Sequence, residues 1–157
     1  MLKYLWLSGL VIILDQASKW LMVSWLSLYE TVAVIPYFNL TMAHNTGAAF
    51  SFLAGAGGWQ RWFFMGITFL ISIALFIWLK KLGSQAKLEA ISISLILGGA
   101  IGNVIDRIYF GYVIDFLDVY VGSYHWPAFN IADAAICIGA ALLIIDSFIA
   151  KPELDKA

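Results

Sequence analysis

Two carboxylates, Asp115 and Asp118, lie within the apolar stretch GYVIDFLDVY at residues 111–120. An unpaired carboxylate is costly to bury, so each acid needs either a partner or a chemical role. If the stretch is a β-strand, the two side chains point to opposite faces, because side chains alternate with period two. A helical interpretation is also open. As a strand, the pattern predicts that only one of the two acids faces a given site.

A third carboxylate, Asp133, lies at the start of an apolar segment in the sequence PAFNIAD. Asn130 is a natural N-cap residue, and Asp133 three positions later completes a pattern close to a capping box. Capping alone would account for this acid. A helix N-terminus also favours the ionised form of a carboxylate. If Asp115 packs nearby in a drier place, the two acids can share one proton and activate water.

Other polar residues occur at helical spacing within apolar segments. Asp15 and Lys19 have the i, i+4 spacing of an intrahelical ion pair, which by itself could explain both residues. Asn103 and Arg107 are also one helical turn apart. Either of these two could position a substrate or hydrogen-bond a neighbouring loop.

The residue types give less support to other hydrolytic chemistries. A zinc peptidase of the HExxH type is not indicated, because His44 and His125 are far apart and neither lies in a local metal motif. Cys137 follows Asp133 by one turn on an apolar segment, which is more typical of a small packed residue than of a nucleophile. Lys19 is the only lysine suited to a serine–lysine site, and no serine is placed to serve it.

The composition places these residues in a membrane protein. The 157-residue chain is 62% hydrophobic and only 12% charged, with a mean hydropathy of +0.89, whereas about a quarter of the residues in soluble domains are charged. The net charge of −1 leaves no basic field to attract nucleic acid. The single cysteine excludes an internal disulfide. We therefore expect one integral membrane domain covering residues 1–157.

Four largely apolar segments, of which only 62–79 is entirely uncharged, approach the ~20 residues that span a hydrocarbon core. They predict helices at about 4–25, 62–79, 90–106 and 131–150. The first contains the charged pair Asp15 and Lys19, and the last ends near Asp146. In the third, Gly98 and Gly102 have GxxxG spacing, which predicts that a neighbouring helix packs closely there.

Basic residues predict the orientation of these helices. Lysines occur before the first helix, in the short 80–89 link and in the tail after residue 150, so the positive-inside rule puts both termini in the cytoplasm. The other two links, about 26–60 and 107–130, are long and aromatic, and the first includes the β-prone stretch YFNLTMAHNTGAAF. The predicted fold is an all-α membrane protein with four transmembrane helices and a small extracytoplasmic β-sheet.

Five short motifs, taken in order, resemble those of the bacterial lipoprotein signal peptidases, also called signal peptidase II. They are DQASK at 15–19, NTGAAFSF at 45–52, GNVIDR at 102–107, VIDF at 113–116 and FNIAD at 129–133. The resemblance extends over nearly the whole chain, without a departure inside the motifs. It implies an aspartic endopeptidase of the cell (inner) membrane that cuts diacylglyceryl-modified prolipoproteins just before the lipidated cysteine. It implies no metal and no organic cofactor, and we expect a monomer in contact with membrane lipid.

The resemblance also implies roles for individual residues. The catalytic aspartates of the family match Asp115 and Asp133, and an active site near the outer face of the membrane is expected. Its other polar motif positions, which shape and brace the site or bind substrate, match Asp15, Asn45, Asn103, Arg107 and Asn130. Asp106 and Asp118 match no catalytic position.

The main alternative is a small ion-coupled membrane transporter or channel subunit, in which Asp15, Asp133 and Asp146 would form a relay. A relay predicts acids spread across the membrane, whereas Asp115 and Asp133 are predicted to lie towards one side. Only Asp146 lies inward, about 20 Å along its helix at ~1.5 Å per residue. A purely structural subunit would explain the glycines but not the polar residues at the outer helix ends.

Overall fold

The computed structural model describes residues 1–47 and 58–149, and in this part the chain is mostly helical. Its α-helices are α1 (Leu5–Trp25), α2 (Trp59–Lys81), α3 (Lys87–Tyr109) and α4 (Ile131–Ile149). In the described part, four helices are long and apolar enough to cross a membrane. Helices are thus observed at the four predicted positions, and α2 and α3 each extend two or three residues beyond both predicted ends.

A small antiparallel sheet joins the two long links between helices. Its strands are β1 (Thr31–Ile35), β2 (Phe38–Asn45), β3 (Val113–Val121) and β4 (Tyr124–His125), in the order β1-β2-β3-β4. The strand interpretation of the stretch containing Asp115 is confirmed, and the helical one is wrong. Asp115 lies opposite Ala43 of β2, just beyond a bulge that separates Ala43 from Leu40. A bulge lets the strand bend and re-aim its side chains.

The sheet lies at one end of the helix bundle. The chain runs into it from the carboxyl ends of α1 and α3, and it leaves into the amino end of α4. Side chains from the last turns of α1 form an apolar core with the sheet, comprising Met22, Leu26, Met42, Ile114 and Phe116. Burial of this apolar surface holds the sheet against the bundle. Lys81, the last residue of α2, and Lys87, the first residue of α3, bound the link at the end of the bundle opposite the sheet.

Helix α3 contacts α1 closely because of its glycines. A Cβ added to Gly98 would lie 2.8 Å from the Cβ of Val11 and 2.9 Å from the backbone of Ser8, and one added to Gly102 would lie 2.7 Å from Oδ2 of Asp15. The close packing predicted from the GxxxG spacing is confirmed. The approach brings the polar side chains of α1 next to those of α3.

Candidate active site

The amino terminus of α4 holds Asp133 in a reciprocal cap. The Oδ1 of Asn130 accepts a 2.9 Å hydrogen bond from the backbone N of Asp133, and Oδ2 of Asp133 accepts one of 3.3 Å from the backbone N of Asn130. The capping box predicted from FNIAD is confirmed. The other oxygen of Asp133 accepts a 2.7 Å hydrogen bond from Nδ2 of Asn103 on α3. Both carboxyl oxygens are thus held, while the side chain stays partly exposed to a cavity.

Asp115 occupies a drier position in β3, with 2% of its surface exposed. Its Oδ1 accepts a 2.7 Å hydrogen bond from Nδ2 of Asn130, and its Oδ2 accepts one of 3.1 Å from Nδ2 of Asn45. Burial, and then the neighbouring charge of Asp133, raise the pKa of Asp115 from 3.8 to about 7, although the two amide donors oppose the change. The Asp115 carboxyl therefore keeps a proton to much higher pH than an ordinary aspartic acid.

Asn130 connects the two acids. Its side chain is fully buried, and its amide nitrogen donates to Asp115 while its amide oxygen accepts from the backbone of Asp133. The amide nitrogen also lies 3.2 Å from Oδ1 of Asn103 and 3.2 Å from the carbonyl oxygen of Ile114. An N-cap residue normally serves only its own helix. Here the same side chain also contacts the strand, so β3 and α4 meet at one amide.

Arg107 holds the edge of a cavity that opens beside Asp133. Its guanidinium donates to the carbonyl oxygens of Gly47 at 2.7 Å and Asn103 at 3.2 Å, and it lies 6.0 Å from the ring of Phe64. The cavity has a volume of about 230 Å³. Its polar lining includes Asn45, Asn103, Arg107 and Asp133, and its apolar lining includes Phe64, Ile71, Ile96, Ala100 and Ile136. These four predicted site residues thus line one cavity. Their amide and guanidinium groups are of the kinds that can hydrogen-bond a peptide backbone.

Asp15 lies in a buried ion cluster beside this site. Lys19 Nζ is 2.8 Å from Oδ2 of Asp15, which confirms the i, i+4 pair, and 2.8 Å from Oδ2 of Asp106 on α3. All three side chains are at most 1% exposed. The sequence predicts Lys19 as the partner of Asp15 and offers no serine for a serine–lysine site, and it predicts no role for Asp106. Spacing along one helix could predict the first contact but not the second.

Asp118 has partners of its own away from the cavity. Its Oδ2 accepts a 2.7 Å hydrogen bond from Nδ2 of Asn39, and Nδ1 of His125 lies 2.9 Å from its Oδ1. These partners differ from the asparagines that contact Asp115. Within residues 1–47 and 58–149, no group of three or more histidine, cysteine and acidic side chains has an arrangement that could hold a metal ion.

Comparisons with known proteins cover the whole of this region. The sequence profile of a family described as signal peptidase (SPase) II matches residues 7–149. The chain is 58% identical over 147 residues to the lipoprotein signal peptidase of Alteromonas mediterranea, covering 94% of this chain and 81% of that protein. It is 55% identical over 152 residues to the lipoprotein signal peptidase of Photorhabdus laumondii, covering 97% and 91%.

A solved structure also resembles the chain as a whole. This structure, described as a bacterial membrane enzyme determined by the in meso method, matches with a TM-score of 0.88 and 33% sequence identity. The match covers 100% of this chain and 94% of the other. Every site residue described above falls within the part of the chain that these similarities cover.

Proposed function

The chain belongs to the signal peptidase II family, and on that premise we propose that Asp115 and Asp133 are its catalytic pair. The family assigns the activity: the protein is a membrane aspartic peptidase that removes signal peptides from prolipoproteins. The observation that carries the assignment of the pair is the shared contact with Asn130, which joins one acid from β3 to one from α4. Asn45, Asn103, Arg107 and Asn130 position the pair and the peptide around it.

The different environments of the two acids divide their roles. Asp133 borders the cavity and acts as the general base that takes a proton from the attacking water. Asp115 holds its proton to about pH 7 and donates it to the oxygen of the scissile carbonyl as the water oxygen bonds to the carbon. The proton on Asp133 then passes to the leaving nitrogen as the C–N bond breaks, and Asp115 recovers its proton from the resulting hydroxyl group. The pair ends the cycle as it began.

The orientation in the membrane is part of the proposal. Both termini lie in the cytoplasm, and the sheet and the acid pair lie near the outer face. This assignment is supported by Lys81 and Lys87 at the end of the bundle opposite the sheet. Exposed aromatic side chains at the sheet end, including Tyr29, Tyr109 and Trp126, support a position of the sheet at a membrane interface, whereas the side of the membrane is assigned from the lysines alone. Water can reach the acids at this depth.

The substrate cysteine carries a diacylglyceryl group, and cleavage occurs just before that cysteine. The site supports this proposal because its cavities are bounded mainly by apolar side chains of α2, α3, α4 and the segment before α4. A lipid-modified peptide can therefore enter from the bilayer with its acyl chains in apolar surroundings. The enzyme acts as a monomer and needs no cofactor. The arrangement of acids does not favour an ion relay, because Asp15, Asp106, Asp115 and Asp133 gather around the start of α4.

The decisive experiment compares two peptides on the purified protein. One contains the lipobox with a diacylglyceryl-modified cysteine, and the other is identical but unlipidated. We expect cleavage of the first only, because each methylene moved into apolar surroundings contributes about 0.8 kcal/mol to binding. Equal rates of cleavage for the two peptides would contradict the lipid requirement. Cleavage of neither peptide would contradict the proposed function.

A further inference from the structure

A second cavity meets the polar one at Asp133. It has a volume of about 280 Å³ and lies against the first turns of α4 and the segment that precedes this helix. Its lining comprises Trp126, Ala128, Phe129, Asp133, Ala134, Ile136 and Cys137. Asp133 and Ile136 line both cavities, whereas Asn45, Asn103 and Arg107 line only the first. Apart from Asp133, the second cavity has an apolar lining.

The chemistry of the substrate requires two separate paths from the same point. The signal peptide continues from the carbonyl side of the scissile bond. The diacylglyceryl group begins at the sulfur of the next residue, which is only a few covalent bonds from the scissile nitrogen, and its acyl chains extend from the glyceryl oxygens. A peptide backbone needs hydrogen-bond partners when it leaves water, whereas an acyl chain needs only an apolar surface. The peptide backbone and the acyl chains must therefore separate near the catalytic acids. The backbone needs polar surroundings there, and the acyl chains need apolar ones.

We propose that the cavity lined by Trp126, Phe129 and Cys137 binds an acyl chain of the lipid on the substrate cysteine, while the cavity lined by Asn45 and Arg107 binds the peptide. This inference rests on the proposed function, because it assigns the acyl chain and the peptide of the proposed substrate to separate cavities of the active site. The amide and guanidinium groups of the polar cavity suit the peptide carbonyl groups. The apolar cavity adjoins the same carboxyl at Asp133, so a chain bound there begins next to the cleaved bond.

Cys137 offers a direct test, because it is the only cysteine of the chain and is exposed. Alkylation of its thiol by N-ethylmaleimide is followed by mass spectrometry in the inactive Asp115→Asn protein. At about ten times its dissociation constant, the diacylglyceryl peptide should slow alkylation about tenfold, while the same peptide with an S-methylated cysteine should have no effect. Equal protection by both would assign the cavity to the peptide. No protection by a lipopeptide that the wild-type protein cleaves would overturn the inference and leave the proposed function intact.

A substitution pair tests the same cavity through kinetics. Cys137→Phe fills part of the space and should raise KM for the long-chain lipopeptide about tenfold, with little change in kcat. Ile138→Phe is the matched control, since Ile138 is 55% exposed on α4 and does not line the cavity. Shortening the acyl chains of the substrate should remove most of the difference between the two variants. An unchanged KM for Cys137→Phe, or equal effects of both variants, would reject the acyl-chain site.

Different contacts support a second inference, which concerns the buried ion cluster. Oδ1 of Asp15 accepts a 3.0 Å hydrogen bond from the backbone N of Ala132, the residue before Asp133. Oδ2 of Asp106 accepts a 3.0 Å hydrogen bond from the backbone N of Ile114, the residue before Asp115. Each carboxylate of the cluster thus holds the backbone directly ahead of one member of the proposed catalytic pair.

Lys19 joins these two contacts and adds a third. Its ammonium bridges Asp15 and Asp106, and it also donates a 3.1 Å hydrogen bond to Oδ1 of Asn103. With Oδ1 of Asn103 turned towards Lys19, the NH₂ group of the same amide is directed at Asp133, to which it donates at 2.7 Å. We infer that Lys19 and Asp106 are positioning residues, which set the separation and orientation of the two acids without touching substrate.

The test separates positioning from general stability. Asp106→Asn keeps an oxygen acceptor but removes the charge that pairs with Lys19, and it should lower kcat about 10- to 100-fold with KM nearly unchanged. The control is Asp118→Asn, which removes another buried carboxylate with partners outside the cluster and should leave kcat within about twofold. A lower melting temperature with unchanged kcat in Asp106→Asn would reduce the cluster to a structural role and overturn the inference.

A double variant addresses the case in which the lysine is needed for folding. Lys19→Met alone leaves two buried carboxylates without their cation, so it should be strongly destabilised. Combining it with Asp106→Asn removes one of these charges and should restore part of the melting temperature, while kcat stays low because the contact of Lys19 with Oδ1 of Asn103 is not rebuilt. Recovery of wild-type kcat in the double variant would show that the cluster does not position the catalytic pair.

Discussion

The amide nitrogen of Asn130 donates a 2.7 Å hydrogen bond to Oδ1 of Asp115, across a sequence separation of 15 residues. Because the oxygen of the same amide caps the backbone at Asp133, one side chain sets the distance between strand β3 and helix α4. The two proposed catalytic acids are placed relative to each other by this asparagine more directly than by any contact within either element.

Asn130→Ala should therefore affect both stability and catalysis. Loss of the N-cap should cost about 1 kcal/mol of stability, and loss of the contact with Asp115 should reduce kcat by about 100-fold. The measurements are thermal unfolding and turnover of the lipidated peptide. Asn39→Ala is a matched control, because Asn39 is also buried and also donates a 2.7 Å hydrogen bond to a strand β3 aspartate, Asp118. We expect it to lower the melting temperature alone, and equal kcat values in the two variants would argue against the bridging role.

The catalytic pair itself predicts a sharp difference among three aspartates. Asp115→Asn and Asp133→Asn should each reduce cleavage by about 10²- to 10⁴-fold, because asparagine has the size of aspartate but cannot transfer the proton. Both proteins should still fold and bind the lipopeptide. Asp118→Asn should stay substantially active, since its partners are Asn39 and His125. Strong activity in Asp115→Asn, or activity that EDTA removes and zinc restores, would reject the pair.

The raised pKa of Asp115 predicts the pH dependence of catalysis. The pair titrates as a unit and is active with one proton, so kcat should fall as the pH rises through about 7 and Asp115 loses that proton. A second fall is expected in acid, where both carboxyls are protonated. The measurement is turnover of the lipidated peptide from about pH 4 to about pH 9. A kcat that stays constant above neutral pH would contradict the assignment of Asp115 as the proton donor.

The raised pKa of Asp115 also makes the free energy of unfolding depend on pH. The direction of this dependence is opposite to that given by an ordinary salt-bridged aspartate. The folded pKa of about 7 exceeds the ordinary value of 3.8, so between these values the folded state binds more protons than the unfolded state. The contribution of Asp115 to the free energy of unfolding should therefore fall as the pH rises from about 3.8 to about 7, and then level off. Thermal unfolding at several pH values should show this slope in the wild-type protein and in Asp118→Asn. The dependence of the melting temperature on pH should be weaker in Asp115→Asn. An unchanged dependence in that variant would contradict the raised pKa of Asp115.

The close approach of α1 to α3 predicts a difference between two glycine substitutions. A methyl group on Gly102 would lie 2.7 Å from the buried carboxylate of Asp15, so Gly102→Ala should displace it and lower both the melting temperature and kcat. Gly66 in α2 has no atom within 4 Å of an added Cβ, so Gly66→Ala should be neutral or slightly stabilising. Similar behaviour of the two variants would mean that the packing around Asp15 is not tight.

The proposed orientation can be tested by labelling cysteines in intact cells or spheroplasts. In a Cys137→Ser background, a membrane-impermeant maleimide added from outside should label Ser123→Cys, which lies in the exposed turn between β3 and β4. It should not label Ser84→Cys, in the exposed link between α2 and α3, until the membrane is opened. External labelling of Ser84→Cys would reverse the orientation and place the site on the cytoplasmic side.

Much of this architecture could be predicted from the sequence because its causes are local. Four apolar runs of membrane-spanning length indicate the helices, and period-two alternation around Asp115 indicates β3. The capping box at Asn130 and Asp133, and the ion pair of Asp15 with Lys19, depend on residues three or four positions apart and were predicted correctly. The residues of the five motifs, which agree in order and spacing with those of the family, carry the resemblance to signal peptidase II. Its catalytic positions at Asp115 and Asp133 are consistent with the contacts observed between β3 and α4.

Only the tertiary structure decided which polar groups meet across elements. Asp106 looked like an unassigned acid, yet it lies against Lys19 because Gly98 and Gly102 allow α1 to approach α3. The second role of Asn130 depends on where β3 passes α4, which no local pattern encodes. The high pKa of Asp115 likewise depends on burial and on the charge of Asp133. Sequence spacing determines contacts within one element, whereas burial and long-range packing determine the electrostatic environment, and it is that environment which distinguishes Asp115 from an ordinary aspartic acid.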